Sequence, residues 1–565
     1  MPQLQAPTPF SQSLIWQLQQ DYFASAGIEA WRSGQVPHYI TSNPVMGQTY
    51  AELVLALLRD LALRGQQQEK VYLLELGAGH GRLCYHFLKH FEKYYRFSAI
   101  PLPPFCYVLS DFTDANLAFW QAHPRLQPYL SQGWLDVAHF DVTQSETIAL
   151  QTAGLTLQAQ DLRQPLIAIA NYFFDTIPQE LFFIHNQEIT QVLLELTTDL
   201  EPPPSEPAAL LEHLELHYSD QAVTAPIYGE DSILNDLLED YRHQLDRTHL
   251  LLPHIGIRCL ERLRQLSQAG LMLLTADKGE HHLSQLGDRP PPQLVTHGSF
   301  SLSVNYHALQ RYCHHQGGLA LFPRHQPASL DLGCLLLLPE ATTYRETHQA
   351  YERFVNDYGP DDYFSLKKLI EQHFETLTGR DILAIIRLSG YDTRIFTQML
   401  PQLFELIPTL SEPQRWTLFL TIPRLWDTHY PLGEAVDLAA ALGDLLVALA
   451  FYREAIAYYE KSALIYGAEA EARYKIALCH CLLGEFGQVL AIVEAAQTRD
   501  PDNELLQQLL GQFKAELAAE QAKQQAQAAT ERAEAAEQAL AAEHQTQQRL
   551  RTKLQELGVD PETLL

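Results

Sequence analysis

The sequence has no long apolar run, few cysteines and no secretory start. Purely apolar stretches such as CLLLLP, at residues 334–339, are far shorter than the roughly 20 residues that a membrane-spanning helix needs. The first residues, MPQLQAPTPFSQSLIWQLQQ, hold neither a basic segment nor a continuous apolar core, which argues against a secretory signal. The seven cysteines are scattered without the spacing of a disulfide framework. We therefore expect a reduced, cytoplasmic protein without a membrane span.

Basic residues and metal-ligand patterns are also scarce. The chain has 39 Lys and Arg against 68 Asp and Glu, a formal net charge of -29. No local run of Lys and Arg reverses this charge, so the chain repels phosphate backbones and nucleic acid is not an expected partner. Cys479, His480 and Cys481 alternate around a predicted helix, and the paired histidines at 281–282 and 314–315 have no partner at helical spacing. We expect no metal site.

Short apolar runs do recur along the first part of the 565-residue chain. They lie at residues 71–76, 105–110, 135–140, 166–170, 271–276, 318–322 and 330–338. Segments of about 25 to 30 residues with helical patterning or turn chemistry separate the first four runs. This alternation predicts a doubly wound α/β domain, with helices on both faces of a mainly parallel sheet, over residues 1–340. Residues 181–266 interrupt it, and we interpret them as a substrate cap above the carboxyl ends of the strands.

The remainder of the sequence is predicted to be helical throughout. Residues 341–435 form a helical segment, and residues 436–503 contain two copies of a 34-residue pattern with matched pairs such as Gly443/Ala477 and Tyr452/Phe486. This period resembles the tetratricopeptide repeat, and a plain pair of helical hairpins is the alternative. Residues 504–565 predict one long helix with a heptad seam, mostly of alanine, that is compatible with a self-associating coiled coil or with a single solvated helix.

The stretch LLELGAGHGRL, at residues 73–83, places Gly77, Gly79 and Gly81 directly after the first predicted strand. A dinucleotide-binding turn needs its third glycine where this chain has Arg82, which disfavours a nicotinamide-dependent oxidoreductase. The spacing G-x-G-x-G is instead typical of methyltransferases that use S-adenosylmethionine. Glycines permit positive φ and a close approach of the backbone to a ligand. A purely structural turn is the alternative interpretation.

Acidic residues end three successive predicted strands. Glu75 precedes the glycines and is placed to accept a hydrogen bond from the ammonium group of S-adenosylmethionine. Asp111 is expected to accept both ribose hydroxyls, and Asp141 to meet the adenine amino group. The predicted cofactor-binding residues are therefore Glu75, Gly77, Gly79, Gly81, Asp111 and Asp141.

The fourth strand and its turn, LIAIANYFFDTIPQELF at residues 166–182, resemble a signature of the MidA-like methyltransferases, the family of the mitochondrial complex I assembly methyltransferase. Residues 38–54, 272–279 and 296–309 match further family segments in the same order, so the resemblance covers about residues 38–340. It implies methylation of an arginine of a protein. By the same resemblance, Asn171 and Asp175 lie beside the transferred methyl group and are the expected catalytic residues.

The sequence departs from the family pattern at two points. Tyr172 stands where the family has a glutamate, and no clear acid matches a second family position near residues 299–300. A guanidinium acceptor needs carboxylates that orient it and take up its proton. The missing acids therefore count against arginine as the acceptor, although not against methyl transfer itself. We expect a methyltransferase that acts on a protein side chain, with the helical repeats recruiting the partner. The alternative is a scaffold protein whose methyltransferase-like domain has lost its chemistry.

Overall fold

The computed structural model describes residues 2–223, 226–433, 436–499 and 504–558. The chain divides into two compact units, Met1–Glu434 and Ala435–Leu565. The first unit contains all the strands of the described chain, and the second is helical.

The described residues of the first unit form sixteen strands. They are β1 (Gln3–Pro9), β2 (Val71–Glu75), β3 (Phe105–Asp111), β4 (Leu135–His139), β5 (Ile148–Leu150), β6 (Leu155–Leu157), β7 (Leu166–Asn171), β8 (Glu180–His185), β9 (Glu188–Thr198), β10 (Leu214–Ala222), β11 (Thr248–Leu252), β12 (Leu271–Asp277), β13 (Val295–His297), β14 (Ser299–Ser301), β15 (Leu319–Leu321) and β16 (Asp331–Leu337). All seven predicted strands are confirmed, and each boundary lies within one residue of the apolar run.

The helices of the first unit are α1 (Leu14–Ala26), α2 (Glu29–Arg32), α3 (Tyr39–Ser42), α4 (Pro44–Leu63), α5 (Arg82–Arg96), α6 (Asp114–Ala122), α7 (Gln127–Ser131), α8 (Pro207–Glu212), α9 (Ser232–Gln244), α10 (His254–Gln265), α11 (Tyr306–His315), α12 (Arg345–Tyr351), α13 (Pro360–Glu371), α14 (Gly379–Leu388), α15 (Thr393–Leu406) and α16 (Glu412–Thr428). Helices α4 and α5 belong to the core cluster on one face of the main sheet, while α9, α10 and α11 belong to the cluster on the other. The main sheet is therefore covered on both faces, as the alternating sequence predicts.

The seven-stranded main sheet is mixed. Its order is β15-β16-β12-β7-β2-β3-β4, with β16 antiparallel to both of its neighbours and parallel pairing from β12 to β4. The central strands β3 and β12 are buried at every residue, as expected for a sheet with helices on both faces. Strand order reverses between β2 and β7, because the chain first moves outward to β4 and then returns. In an open α/β sheet such a reversal marks where ligands bind.

A second, antiparallel sheet is formed mostly by residues that the sequence assigns to a substrate cap. Strands β8 to β11 pair in it, and β1 from the start of the chain joins along β9. Its apolar face packs with Phe10, Ile15 and Trp16, which lie in or next to α1. The insertion therefore supports α1.

The expected division near residue 340 does not coincide with a boundary between compact units. Tyr344, Tyr351 and Val355 are buried in the core cluster that also contains α4 and α5. The buried carboxylate of Asp60 in α4 accepts hydrogen bonds from the backbone N–H groups that begin α12, including that of Thr347 at 2.9 Å. The helical residues after β16 thus complete the core of the first unit, which extends to Glu434.

The second unit consists of α17 (Leu438–Ala448), α18 (Tyr452–Tyr466), α19 (Glu469–Leu482), α20 (Phe486–Arg499) and α21 (Glu504–Glu556). Consecutive helices contact each other. The second helices of the two hairpins begin at Tyr452 and Phe486, which is the predicted spacing. Helix α21 contains 53 residues, and its described side chains are largely exposed. The helical prediction is confirmed, whereas the tetratricopeptide relationship and the coiled coil stay predictions.

The described residues hold neither a candidate membrane span nor a candidate metal cluster. None of their helices is both long enough and apolar enough to cross a membrane. Within the same residues, no three His, Cys, Asp or Glu side chains are grouped so that they could hold a metal ion.

Candidate active site

A cavity of about 300 Å³ lies at the carboxyl ends of β2 and β7, where the strand order reverses. Its wall includes seven of the eight predicted site residues, namely Glu75, Gly77, Gly79, Asp111, Asp141, Asn171 and Asp175. Gly81 is outside the lining and is the N-cap residue of α5 instead. The fold therefore brings these predicted residues together, because residues that follow parallel strands meet at one edge of the sheet.

The three glycines of the turn all have positive φ, at 58° for Gly77, 54° for Gly79 and 73° for Gly81. Glycine is expected at these three positions because it adopts a positive φ without steric cost. A further reason comes from packing, since a Cβ atom on Gly79 would lie 2.7 Å from Cζ2 of Trp31 in α2. The sequence alone predicts only that a ligand approaches the backbone here. In the structure, the side chain of Trp31 occupies the space next to Gly79.

Glu75 is a buried carboxyl group at the end of β2. It accepts a hydrogen bond of 2.8 Å from the hydroxyl of Tyr107, and burial raises the pKa of Glu75 to about 8. At neutral pH this group therefore carries a proton in most molecules unless a cation lies beside it. Such a carboxyl suits the ammonium group of an amino-acid ligand.

Asp111 and Asp141 are both held by hydrogen bonds within the protein. Asp111 accepts from the backbone N–H and the hydroxyl of Thr113, from Nδ2 of Asn116 and from the backbone N–H of Gly79, at 2.9 to 3.3 Å. These four donors use the lone pairs of the carboxylate. Asp141 accepts from the backbone and hydroxyl of Thr143. Both aspartates therefore fix turns of the cavity wall, and their contacts to a ribose and an adenine stay predictions.

Asp175 and Asp277 form a buried carboxyl pair. Asp175 follows β7 and Asp277 ends the neighbouring strand β12, and the two carboxyl groups lie close enough for each to shift the pKa of the other. Oδ1 of Asp175 and Oδ2 of Asp277 are buried and have no donor within the described residues, so a proton retained by the pair would reduce the cost of burying two negative charges. Burial raises the pKa of Asp175 and that of Asp277, and the adjacent negative charge raises that of Asp277 further. The pair can therefore hold and release a proton.

Asn171 ends β7 next to this pair. Its Oδ1 accepts a hydrogen bond of 2.6 Å from the hydroxyl of Tyr50, while its buried Nδ2 has no partner among the described residues. An orphaned buried donor in a cavity wall favours a ligand that accepts a hydrogen bond there. The expected catalytic residues Asn171 and Asp175 are thus brought together, with unused hydrogen-bonding capacity.

Tyr172 has a strained backbone conformation within the site. Its φ is 47°, in the left-handed region that a bulky residue rarely adopts. Its backbone N–H donates to the carbonyl of Ala276 at 3.1 Å, which fastens the turn after β7 to the end of β12. Strain of this kind persists where the surrounding structure determines it and is concentrated at functional sites.

Sequence reasoning missed two groups of site residues. Asp277 ends a predicted strand just as Glu75 and Asp111 do, so the same strand-end rule could have found it. Trp31 and His38 reach the cavity from the N-terminal segment. The sequence offers no signal for Trp31, whereas His38 begins the segment 38–54 that resembles the family. Conversely, none of the described residues of the predicted cap 181–266 lines the cavity. Residues of α1 and of β13 and β14 cover it instead.

Comparison with protein families and with curated proteins finds no match. Among solved structures, the chain resembles two proteins of one superfamily from Burkholderia thailandensis. One is described as uncharacterized and is 13% identical, with a TM-score of 0.34 over 56% of this chain and 73% of that chain. The other, a "likely methyl transferase" bound to S-adenosyl-homocysteine, is 14% identical, with a TM-score of 0.34 over 56% of this chain and 74% of that chain. Both resemblances are distant.

Proposed function

We propose that this protein is an S-adenosylmethionine-dependent methyltransferase that acts on a protein side chain, with an arginine guanidinium as acceptor. The observation that carries the proposal is the buried carboxyl pair of Asp175 and Asp277, beside the glycine turn and Glu75. Two carboxyl groups with one shared proton provide both the negative charge that orients a guanidinium and a base that takes up its proton. The pair supplies the acidic partner that the sequence lacks at Tyr172.

The cavity residues fit this cofactor. Glu75 would hold its ammonium group, the glycine backbone would face its amino-acid end, and the orphaned Nδ2 of Asn171 would donate to an acceptor on a ligand. When bound, S-adenosylmethionine supplies an electrophilic methyl group. The residues of the chain orient the acceptor nitrogen, exclude water from the buried pair and accept the proton that the nitrogen loses, so that most of the catalysis is positioning.

The helical second unit is proposed to recruit the protein partner, because stacked helical hairpins offer extended surfaces for peptides. Self-association through α21 is a further proposal, motivated by its exposed leucines Leu540 and Leu550. The cytoplasm is the proposed location.

Two measurements test the proposed activity on the full chain. Calorimetry should detect binding of S-adenosyl-homocysteine, and label should pass from methyl-tritiated S-adenosylmethionine to an arginine-containing peptide but not to its lysine counterpart. Binding without transfer to any protein of a cell extract would favour the inactive scaffold. Absence of binding to a folded protein would contradict the proposed cofactor.

Binding of S-adenosyl-homocysteine should tighten as the pH rises. Burial raises the pKa of free Glu75 to about 8, and an ammonium group beside the carboxyl lowers it, so binding releases a proton. Affinity should therefore increase between about pH 6 and about pH 8, by up to roughly tenfold per unit, and level off above the pKa of the free group. Calorimetry in two buffers of different ionisation enthalpy would count the released proton. Glu75→Gln should bind more weakly and without this pH dependence, and a wild-type affinity independent of pH would remove Glu75 from the ammonium site.

A further inference from the structure

A second cavity, of about 760 Å³, adjoins the candidate active site, and we call it the side cavity. The two cavities share a wall formed by Val36, Pro37, His38, Tyr172 and Lys278. A polypeptide that places one side chain at the carboxyl pair therefore has neighbouring residues within reach of the side cavity.

Three exposed cations in the wall of the side cavity have no carboxylate partner among the described residues. They are Lys278, Lys368 and Arg394. Nζ of Lys368 donates to the hydroxyl of Ser329 at 3.1 Å, and the guanidinium of Arg394 lies 4.9 Å from the ring centre of Tyr39. Neither contact neutralises a charge. These cations remain available to an anionic ligand.

The two acids of the same wall each have a basic partner on one carboxylate oxygen. Glu280 forms an ion pair of 2.5 Å with Arg289 and also accepts a hydrogen bond from Ser303. Asp331 is hydrogen-bonded to Nδ1 of the buried His281 at 2.5 Å. The side cavity is therefore locally positive, although the chain has a net charge of -29. A protein that repels acidic partners over most of its surface attracts them at this place.

We infer that the side cavity binds the carboxylates of an acidic peptide segment that flanks the methylated residue of the acceptor. The acceptor would then present a cation to Asp175 and Asp277 and acidic neighbours to Lys368 and Arg394. The enzyme would then prefer an acceptor in which the methylated basic residue is flanked by acidic residues. The inference rests on the proposed function for the identity of the methylated residue, whereas the binding of acidic segments does not depend on it.

The test measures fluorescence anisotropy of two labelled peptides with the full chain, in the absence of cofactor. One peptide has an arginine between two pairs of glutamates, and the other has glutamines in their place. The glutamate peptide should bind about threefold to tenfold more tightly at low salt, the range expected for a few partly exposed ion pairs. Charge reversal in Lys368→Glu/Arg394→Glu should abolish or invert this preference. Both residues are exposed and lie outside the first cavity, so binding of S-adenosyl-homocysteine should not change.

Lys93→Glu/Arg96→Glu is the matched control, because it makes the same change of charge on α5, away from both cavities. This control variant should still bind the glutamate peptide more tightly than the glutamine peptide. Equal affinity for the two peptides in the wild-type protein would overturn the inference, and so would a preference that survives in the folded Lys368/Arg394 variant. Displacement of the peptide by inorganic phosphate, but not by chloride at equal ionic strength, would assign the cavity to a free anion instead. If acidic peptides bind but S-adenosyl-homocysteine does not, the proposed function fails and the acidic-peptide site stands.

Discussion

Asp277→Asn should reduce the rate of methyl transfer at least about 100-fold, the usual contribution of a positioned proton acceptor. The substitution keeps the shape of the side chain but removes one acid from the pair with Asp175. The amide would donate a hydrogen bond to Asp175 and thereby lower the pKa of its carboxyl group. Affinity for S-adenosyl-homocysteine should change little, because the ammonium site at Glu75 is unaltered. Single-turnover rates with tritiated S-adenosylmethionine, measured across a range of pH, would show both effects.

The pH profile separates a chemical role of the pair from a structural one. Burial raises the pKa values of the wild-type pair, so the rate should rise as the pair loses its shared proton with increasing pH. In Asp277→Asn the residual activity should reach its plateau at lower pH. Asp60→Asn is the control, since Asp60 is also buried and lies outside both cavities. It should lower the melting temperature without moving the pH profile. Full activity of Asp277→Asn would exclude the pair from catalysis.

A fragment that ends at residue 340 should fail to fold, whereas a fragment that ends at residue 433 should keep its melting transition and bind S-adenosyl-homocysteine. The shorter fragment loses Tyr351 and Tyr430, which are among the largest fully buried side chains. The hydroxyl of Tyr430 donates to the carbonyl of His80 in the glycine turn at 2.9 Å. Each fully buried large side chain contributes about 1.5–3 kcal/mol, against a total stability of about 5–15 kcal/mol.

Circular dichroism and thermal melting of both fragments would check this expectation. The imidazole of His123 stacks on the ring of Tyr430 at 3.9 Å, so the end of the first unit is packed against the residues around the site. The shorter fragment should therefore also lose ligand binding. A soluble 1–340 fragment with a cooperative melting transition would show that the helices after β16 are dispensable for the fold.

The sequence by itself determines the strands of the main sheet and the conformation of the glycine turn. Buried central strands are continuous apolar runs, so their positions can be read without tertiary information. Gly77, Gly79 and Gly81 need positive φ, which is a local property of the backbone. Residues at strand ends were also predictable, because the carboxyl ends of parallel strands meet at one edge. Glu75, Asp111 and Asp141 were predicted in this way, whereas Asp175 was predicted from the family resemblance.

Only the tertiary structure decides which distant segments meet at that edge. Asp277 joins Asp175 because β12 lies next to β7, and strand order is not encoded in the apolar period. Trp31 lies next to Gly79 and stacks on Phe23 of α1, and both contacts depend on how α1 and α2 pack onto the glycine turn. The end of the first unit at Glu434 likewise depends on long-range burial of Tyr351 and Tyr430. Local patterns report whether a residue is buried, but its neighbours are fixed by the packing of the whole unit.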